Sequence, residues 1–135
     1  MSAYPEQREI DQKHRPPILL VDDEANQREM YKHRLERAGY QVRLAESTEA
    51  AVQAVRDQPP EVVVLDIAMP ERDGLSALHE LLDLAPSVPV IINTAYPAYA
   101  DDFLAWAAEA YIEKSSDIGP LLSAIERALA RSQLQ

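Results

Sequence analysis

Short apolar runs alternate with segments of helical period along most of this chain. Residues 18–21 are apolar throughout and then break into Asp22, Asp23 and Glu24. A helix is predicted over 25–38, with Gly39 placed to stop it in the left-handed conformation. Its apolar stripe (Met30, Tyr31, Leu35, Ala38) is thin, so the stop signal carries that assignment. "YQVRLA" alternates as a second strand, and Ser47 or Thr48 can cap a helix that Pro59-Pro60 closes. In "EVVVLDIAMP" a third strand is apolar from 62 to 65, ends in Asp66, and leads into a loop with Pro70 and Gly74. Leu75, Leu78, Leu81 and Leu82 then recur at helical spacing. "VPVIIN" is a fourth strand followed by Thr94, a fourth helix is expected over about 98–107, and "AYIEK" is a short fifth strand. Ile118, Leu121, Leu122, Ile125 and Leu129 mark a final helix, opened by Ser116 or Asp117.

Five strands and five helices in strict alternation, with strands apolar throughout, predict a parallel sheet covered on both faces. The expected fold is a doubly wound α/β domain over residues 17–131. Residues 1–16 are polar and without hydrophobic period, and read as a mobile leader ending at Pro16-Pro17. Residues 132–135 read as a loose tail, and with the leading Met1 they favour a single-domain protein.

Composition narrows the function classes. Hydrophobic residues make up 47% of the 135 positions and charged residues 27%, a globular balance. No stretch approaches the roughly 18–20 apolar residues that span a bilayer, and the N-terminus has no apolar signal region, so a cytoplasmic protein is expected. There are no cysteines, which excludes disulfides and thiolate metal sites. A net charge of -10 is repelled by bare nucleic acid and by anionic membranes.

In a doubly wound sheet the ligand crevice lies beyond the carboxyl ends of the strands. There the sequence collects its polar residues: Asp22 and Asp23 after the first strand, Asp66 after the third, Thr94 after the fourth and Lys114 after the fifth. Three carboxylates on one rim repel one another unless a cation joins them. A hard divalent ion such as Mg²⁺ suits oxygen ligands. With a lysine and a hydroxyl beside it, the rim fits phosphoryl transfer, in which positioning and charge neutralisation do most of the catalysis.

The ordered pieces "VDD" (21–23), "LDIAMPERDG" (65–74), "TA" (94–95) and "YIEK" (111–114) resemble the receiver domain of two-component response regulators. The resemblance covers about residues 17–131 and implies a flavodoxin-like sheet of order 2-1-3-4-5. It implies a phospho-accepting switch in a phosphorelay, not an enzyme acting on other substrates. By resemblance, Asp66 is the phosphoacceptor; Asp23, Asp66 and the backbone carbonyl of Ala68 ligate Mg²⁺; and Asp22 acts through water. Thr94 and Lys114 bind phosphoryl oxygens, and Tyr111 is the switch aromatic that follows Thr94. The implied partners are a sensor histidine kinase or phosphotransfer protein and a downstream protein, met on the face of the fourth helix, fifth strand and fifth helix. The state is monomer or phosphorylation-dependent dimer.

Departures from the family pattern bear on these expectations. Ser115 stands where the family usually has proline, so the Lys114–Ser115 bond is expected trans, because a non-proline cis bond costs about 3 kcal/mol. The gap from Thr94 to Lys114 is shorter than is common, which predicts a shortened or shifted fourth helix. Ala68 and Tyr96 border the acceptor and are expected to make autodephosphorylation slow to moderate. Ala68 also stands where aspartyl phosphatases carry a second Asp, which argues against that enzyme class; the alternative kept open is a degenerate receiver serving only as an interaction module. Glu24 reads as a helix-dipole residue. Tyr99, Phe103 and Trp106 read as packing, and His14, His33 and His79 as solvated side chains.

Overall fold

The computed structural model describes residues 16–68, 74–95 and 107–133. Five strands, β1 (Pro17–Val21), β2 (Gln41–Ala45), β3 (Val62–Leu65), β4 (Val90–Thr94) and β5 (Ala110–Glu113), form one parallel sheet of order β2-β1-β3-β4-β5. Four described helices accompany them: α1 (Ala25–Arg37), α2 (Thr48–Asp57), α3 (Gly74–Leu84) and α4 (Gly119–Gln133). The helix expected over 98–107 falls on residues 96–106 for nearly all its length, outside the described residues. Gly74 opens α3 instead of lying in the preceding loop.

Apolar strands follow from burial on both faces. Ile18 and Leu20 of β1 point with Val62, Val64 and Ile91 into a layer closed by Tyr31 and Leu35 of α1 and by Leu121 and Ile125 of α4. Leu19 and Val21 point the other way with Val63, Leu65 and Ile92, against Val52 and Val55 of α2 and Leu78 and Leu81 of α3. β1, β3 and β4 thus feed two cores, as their apolar runs require. No described helix is long and apolar enough to cross a membrane.

Helix ends follow local chemistry. Ser47 is the residue that caps α2, its Oγ accepting the Ala50 N–H at 3.1 Å; Thr48 is the first helical residue. The C-terminal helix starts later than its sequence signals imply: Asp117 lies outside it and accepts the Gly119 N–H at 2.9 Å. At the end of α1, Gly39 donates to the Glu36 carbonyl at 3.0 Å and Tyr40 to that of Leu35 at 3.2 Å, the paired bonds of a Schellman stop. Gly39 has φ +106°, and a Cβ there would meet nothing within 4 Å. The cost of Gly39→Ala is therefore conformational and not steric, about 1 kcal/mol. Urea denaturation should show a lower midpoint with an unchanged slope, and a midpoint equal to wild type would contradict this account.

Candidate functional site

β1 and β3 are neighbours at the centre of the sheet, with Val21 in register with Leu65. Asp22 and Asp66 are the next residue on each strand, so their backbones emerge side by side. The ladder continues one bond beyond the strands and pins both: the Asp66 N–H reaches the Val21 carbonyl at 2.9 Å, and the Asp22 N–H reaches that of Ala45 at 3.1 Å. On the other side, Lys114 N–H donates to the Thr94 carbonyl at 2.8 Å and extends the β4–β5 pairing in the same way. Parallel strands end on one edge, so these residues converge.

One oxygen each from Asp22, Asp23 and Asp66 lies within 4.8 Å of the others. Asp22 and Asp66 are buried at 1% and 6% exposure, while Asp23 is exposed. Lys114 Nζ donates to Asp22 Oδ2 at 2.7 Å and to Asp66 Oδ2 at 2.9 Å. Burial alone would push the Lys114 ammonium toward the neutral form, but the bonds and charges of the two carboxylates outweigh it and hold its pKa above the ordinary lysine value. The ion pairs therefore persist through neutral pH and are lost only as pH rises through that raised pKa. Each carboxylate is held at its second oxygen by backbone: Asp22 Oδ1 accepts the Glu24 N–H at 2.9 Å, and Asp66 Oδ1 accepts the Ala68 N–H at 3.0 Å. Arg28 donates to the Asp22 carbonyl at 2.8 Å, fixing the same turn from α1.

A cleft of about 610 Å³ opens over this cluster, lined among others by Asp23, Gln27, Asp66, Ala68, Ala95 and Lys114. Thr94 ends β4 and is fully buried, with Ala95 at the cleft wall. Tyr111, on β5 opposite Ile92, is half-buried against the core layer of α2 and α3. With Lys114 and Pro120 it also borders a separate groove. His33 and His79 are exposed, as expected. Glu24 occupies the N-cap of α1 without a side-chain capping bond. Tyr96, Tyr99, Phe103, Trp106 and His14 lie outside the described residues.

The sequence reading missed one participant. Gln27, half-buried on the first turn of α1, accepts a hydrogen bond from Lys114 Nζ through its Oε1. Nothing in an isolated glutamine signals this, because the partner lies 87 residues away. No peptide bond among the described residues is cis, so the Lys114–Ser115 bond is trans. The path after it is held from α1: the Tyr31 hydroxyl donates to the Ser115 carbonyl and accepts its N–H, each at 3.3 Å, and Arg34 donates to the Ser116 carbonyl.

The donor set fits a hard divalent cation. Three carboxylates cluster, two of them bonded to one ammonium, and Asp23 and Asp66 line the open cleft. The family model described as response regulator receiver domain matches residues 18–126. The chain is 37% identical over 117 residues to the transcriptional regulatory protein ZraR of Escherichia coli K12, an alignment covering 85% of this chain and 26% of ZraR. It thus spans about a quarter of that relative's length. The probable transcriptional regulatory protein TcrX of Mycobacterium tuberculosis is 33% identical, covering 85% of this chain and 50% of TcrX. Among solved structures, the response regulator protein TrrA of Thermotoga maritima in complex with Mg²⁺-BeF superposes with a TM-score of 0.81 at 35% identity, covering 84% of this chain and 99% of TrrA. A second structure holds TrrA in complex with the histidine kinase ThkA, with a TM-score of 0.79 at the same identity and covering 84% and 98%. The sheet order, the acidic cluster bridged by lysine and these matches agree: the chain belongs to the response regulator receiver domain family.

Proposed function

We propose that this chain is a phosphorylation-dependent switch in which Asp66 accepts a phosphoryl group from a phosphohistidine of a sensor histidine kinase or phosphotransfer protein. An oxygen of Asp66 forms the new O–P bond as the N–P bond breaks, and the released imidazole takes up a proton. The observation that carries the reading is the clustering of three carboxylates at the edge of an open cleft, with one lysine bridging two of them. Asp23, Asp66 and the Ala68 carbonyl would hold Mg²⁺, with Asp22 acting through water. Bound there, the ion supplies positive charge against the phosphoryl oxygens. The TrrA complex with Mg²⁺-BeF supports this, since beryllofluoride is a stand-in for a phosphoryl group, and the ThkA complex supports a kinase partner.

In this reading Lys114 exchanges a carboxylate for a phosphoryl oxygen, Thr94 donates its hydroxyl, and Tyr111 follows Thr94. The change is read by a protein partner on the face of the helix expected over 98–107, β5 and the C-terminal helix α4. The signalling unit is taken as residues 17–131, flanked by 1–16 and 132–135. It acts as a monomer or as a phosphorylation-dependent dimer, and its chemistry is confined to its own phosphorylation and dephosphorylation. The acidic surface leaves any link to nucleic acid to another domain or chain. No observation favours the degenerate receiver, whose signature would be loss of an acidic, threonine or lysine position.

Incubation with acetyl phosphate and Mg²⁺ should label the wild-type chain, give no label on Asp66→Asn and give much weaker label on Asp23→Ala. Undiminished labelling of the Asn variant would remove Asp66 as acceptor. The acyl phosphate, followed after the donor is removed, should persist well beyond seconds, because Ala68 offers no side chain to orient water. Complete decay within seconds contradicts that. Lys114→Ala leaves two buried carboxylates without their counter-ion, a loss of about 3–5 kcal/mol without Mg²⁺. Added Mg²⁺ should recover part of it, so its melting-temperature increase should exceed that of the wild type; an equal or smaller increase would show that the ion and the ammonium serve different groups.

A further inference from the structure

We propose that helix α1 is a polar strap that positions Lys114, with Gln27 holding the ammonium and Tyr31 and Arg34 holding the backbone that follows it. The inference deepens the phosphoryl-transfer reading by naming what fixes its lysine.

An ammonium has three N–H donors. Lys114 spends all three on oxygens: Asp22 Oδ2, Asp66 Oδ2 and Gln27 Oε1. Two of these are charged and belong to the acidic cluster. The third is a neutral amide, an acceptor that adds no fourth negative charge to a crowded site. When the ammonium turns toward a phosphoryl oxygen it must release a carboxylate, and Gln27 can remain bound throughout. A glutamate at this place would compete for the lysine as strongly as the carboxylates do.

The backbone is fixed on both sides. Upstream, the Lys114 N–H is bonded to Thr94. Downstream, the Tyr31 hydroxyl sits between both polar backbone groups of Ser115, and Arg34 takes the Ser116 carbonyl. Tyr31 is 3% exposed, so its hydroxyl depends on this partner for satisfaction. Gln27, Tyr31 and Arg34 are spaced i, i+4 and i+7, which aligns them on one helix face. That face meets the Lys114 segment at successive residues. A free tip on a long lysine side chain would sample many rotamers; anchoring root and tip leaves few.

The test uses the full chain with Gln27→Leu and Tyr31→Phe, each alone and combined with Lys114→Ala. Labelling by acetyl phosphate at saturating Mg²⁺ should slow about tenfold in Gln27→Leu and less in Tyr31→Phe, because misplaced catalytic groups cost rate. Mg²⁺ affinity should be unchanged. In the Lys114→Ala background neither substitution should slow labelling further. Wild-type rates in both single variants, or losses that persist undiminished without Lys114, would overturn the strap. A helix that merely docks through these bonds would lower the urea midpoint and produce that second result. A separate readout needs no phosphorylation: the lysine-ammonium NMR signal that vanishes in Lys114→Ala should shift or broaden in both single variants, and an unmoved signal overturns the proposal. Absence of labelling in the wild type would reject Asp66 as acceptor and leave the strap to be judged on that signal.

Discussion

Three carboxylates cannot share the end of a parallel sheet unless positive charge joins them, and that constraint organises this protein. Asp22 and Asp66 are buried, and the Lys114 ammonium that bridges them arrives from 92 and 48 residues away. A buried ion cluster is a poor device for stability, because desolvation of each charge offsets much of the attraction. Apolar residues of similar size would pack there at no loss. Such a cluster suits the proposed phosphoryl transfer, in which charge is redistributed among its members.

The rest of the fold makes that cluster possible. Two core layers on opposite faces hold the sheet rigid, so that the strand ends are fixed points. Asp66, Asp22 and Lys114 each emerge one position past a paired strand and are pinned by one further ladder bond: Asp66 on Val21, Asp22 on Ala45, Lys114 on Thr94. Side chains of quite different sequence position therefore meet with little freedom left to lose. Membership of the receiver family and the likeness to TrrA agree with this geometry over nearly the whole described chain.

Helix α1 shows how a departure from a regular pattern can have a local physical reason. Only Tyr31 and Leu35 of its residues are buried, so apolar packing holds it weakly. Polar bonds supplement it: Arg28 to the Asp22 carbonyl, Gln27 to Lys114, Tyr31 to Ser115 and Arg34 to Ser116. The same bonds give the segment after Lys114 a defined trans path where Ser115 replaces the family's usual proline. The thin stripe seen in the sequence reflects a helix whose inward face does polar work.

Local signals were enough for the described elements, since periodicity and stop residues act over short stretches. The apolar run at 62–65 had to be a doubly covered strand, and Gly39 had to end a helix because only glycine takes φ +106° without strain. These local signals also bring Asp22, Asp23, Asp66 and Lys114 just past strand ends, and Thr94, expected one residue beyond β4, to its last position, so that in a parallel sheet all lie on one edge. Two other expectations slipped by a residue or two, at Gly74 and at the start of the last helix, where several residues could open the same turn. Who bonds to whom is a matter of packing: Lys114 divides itself between Asp22, Asp66 and Gln27, Thr94 is fully buried, and Tyr31 grips Ser115. Those pairings depend on strand order and on helix rotation. Both are set by the packing of the two cores together, and neither is written in any short stretch of the chain.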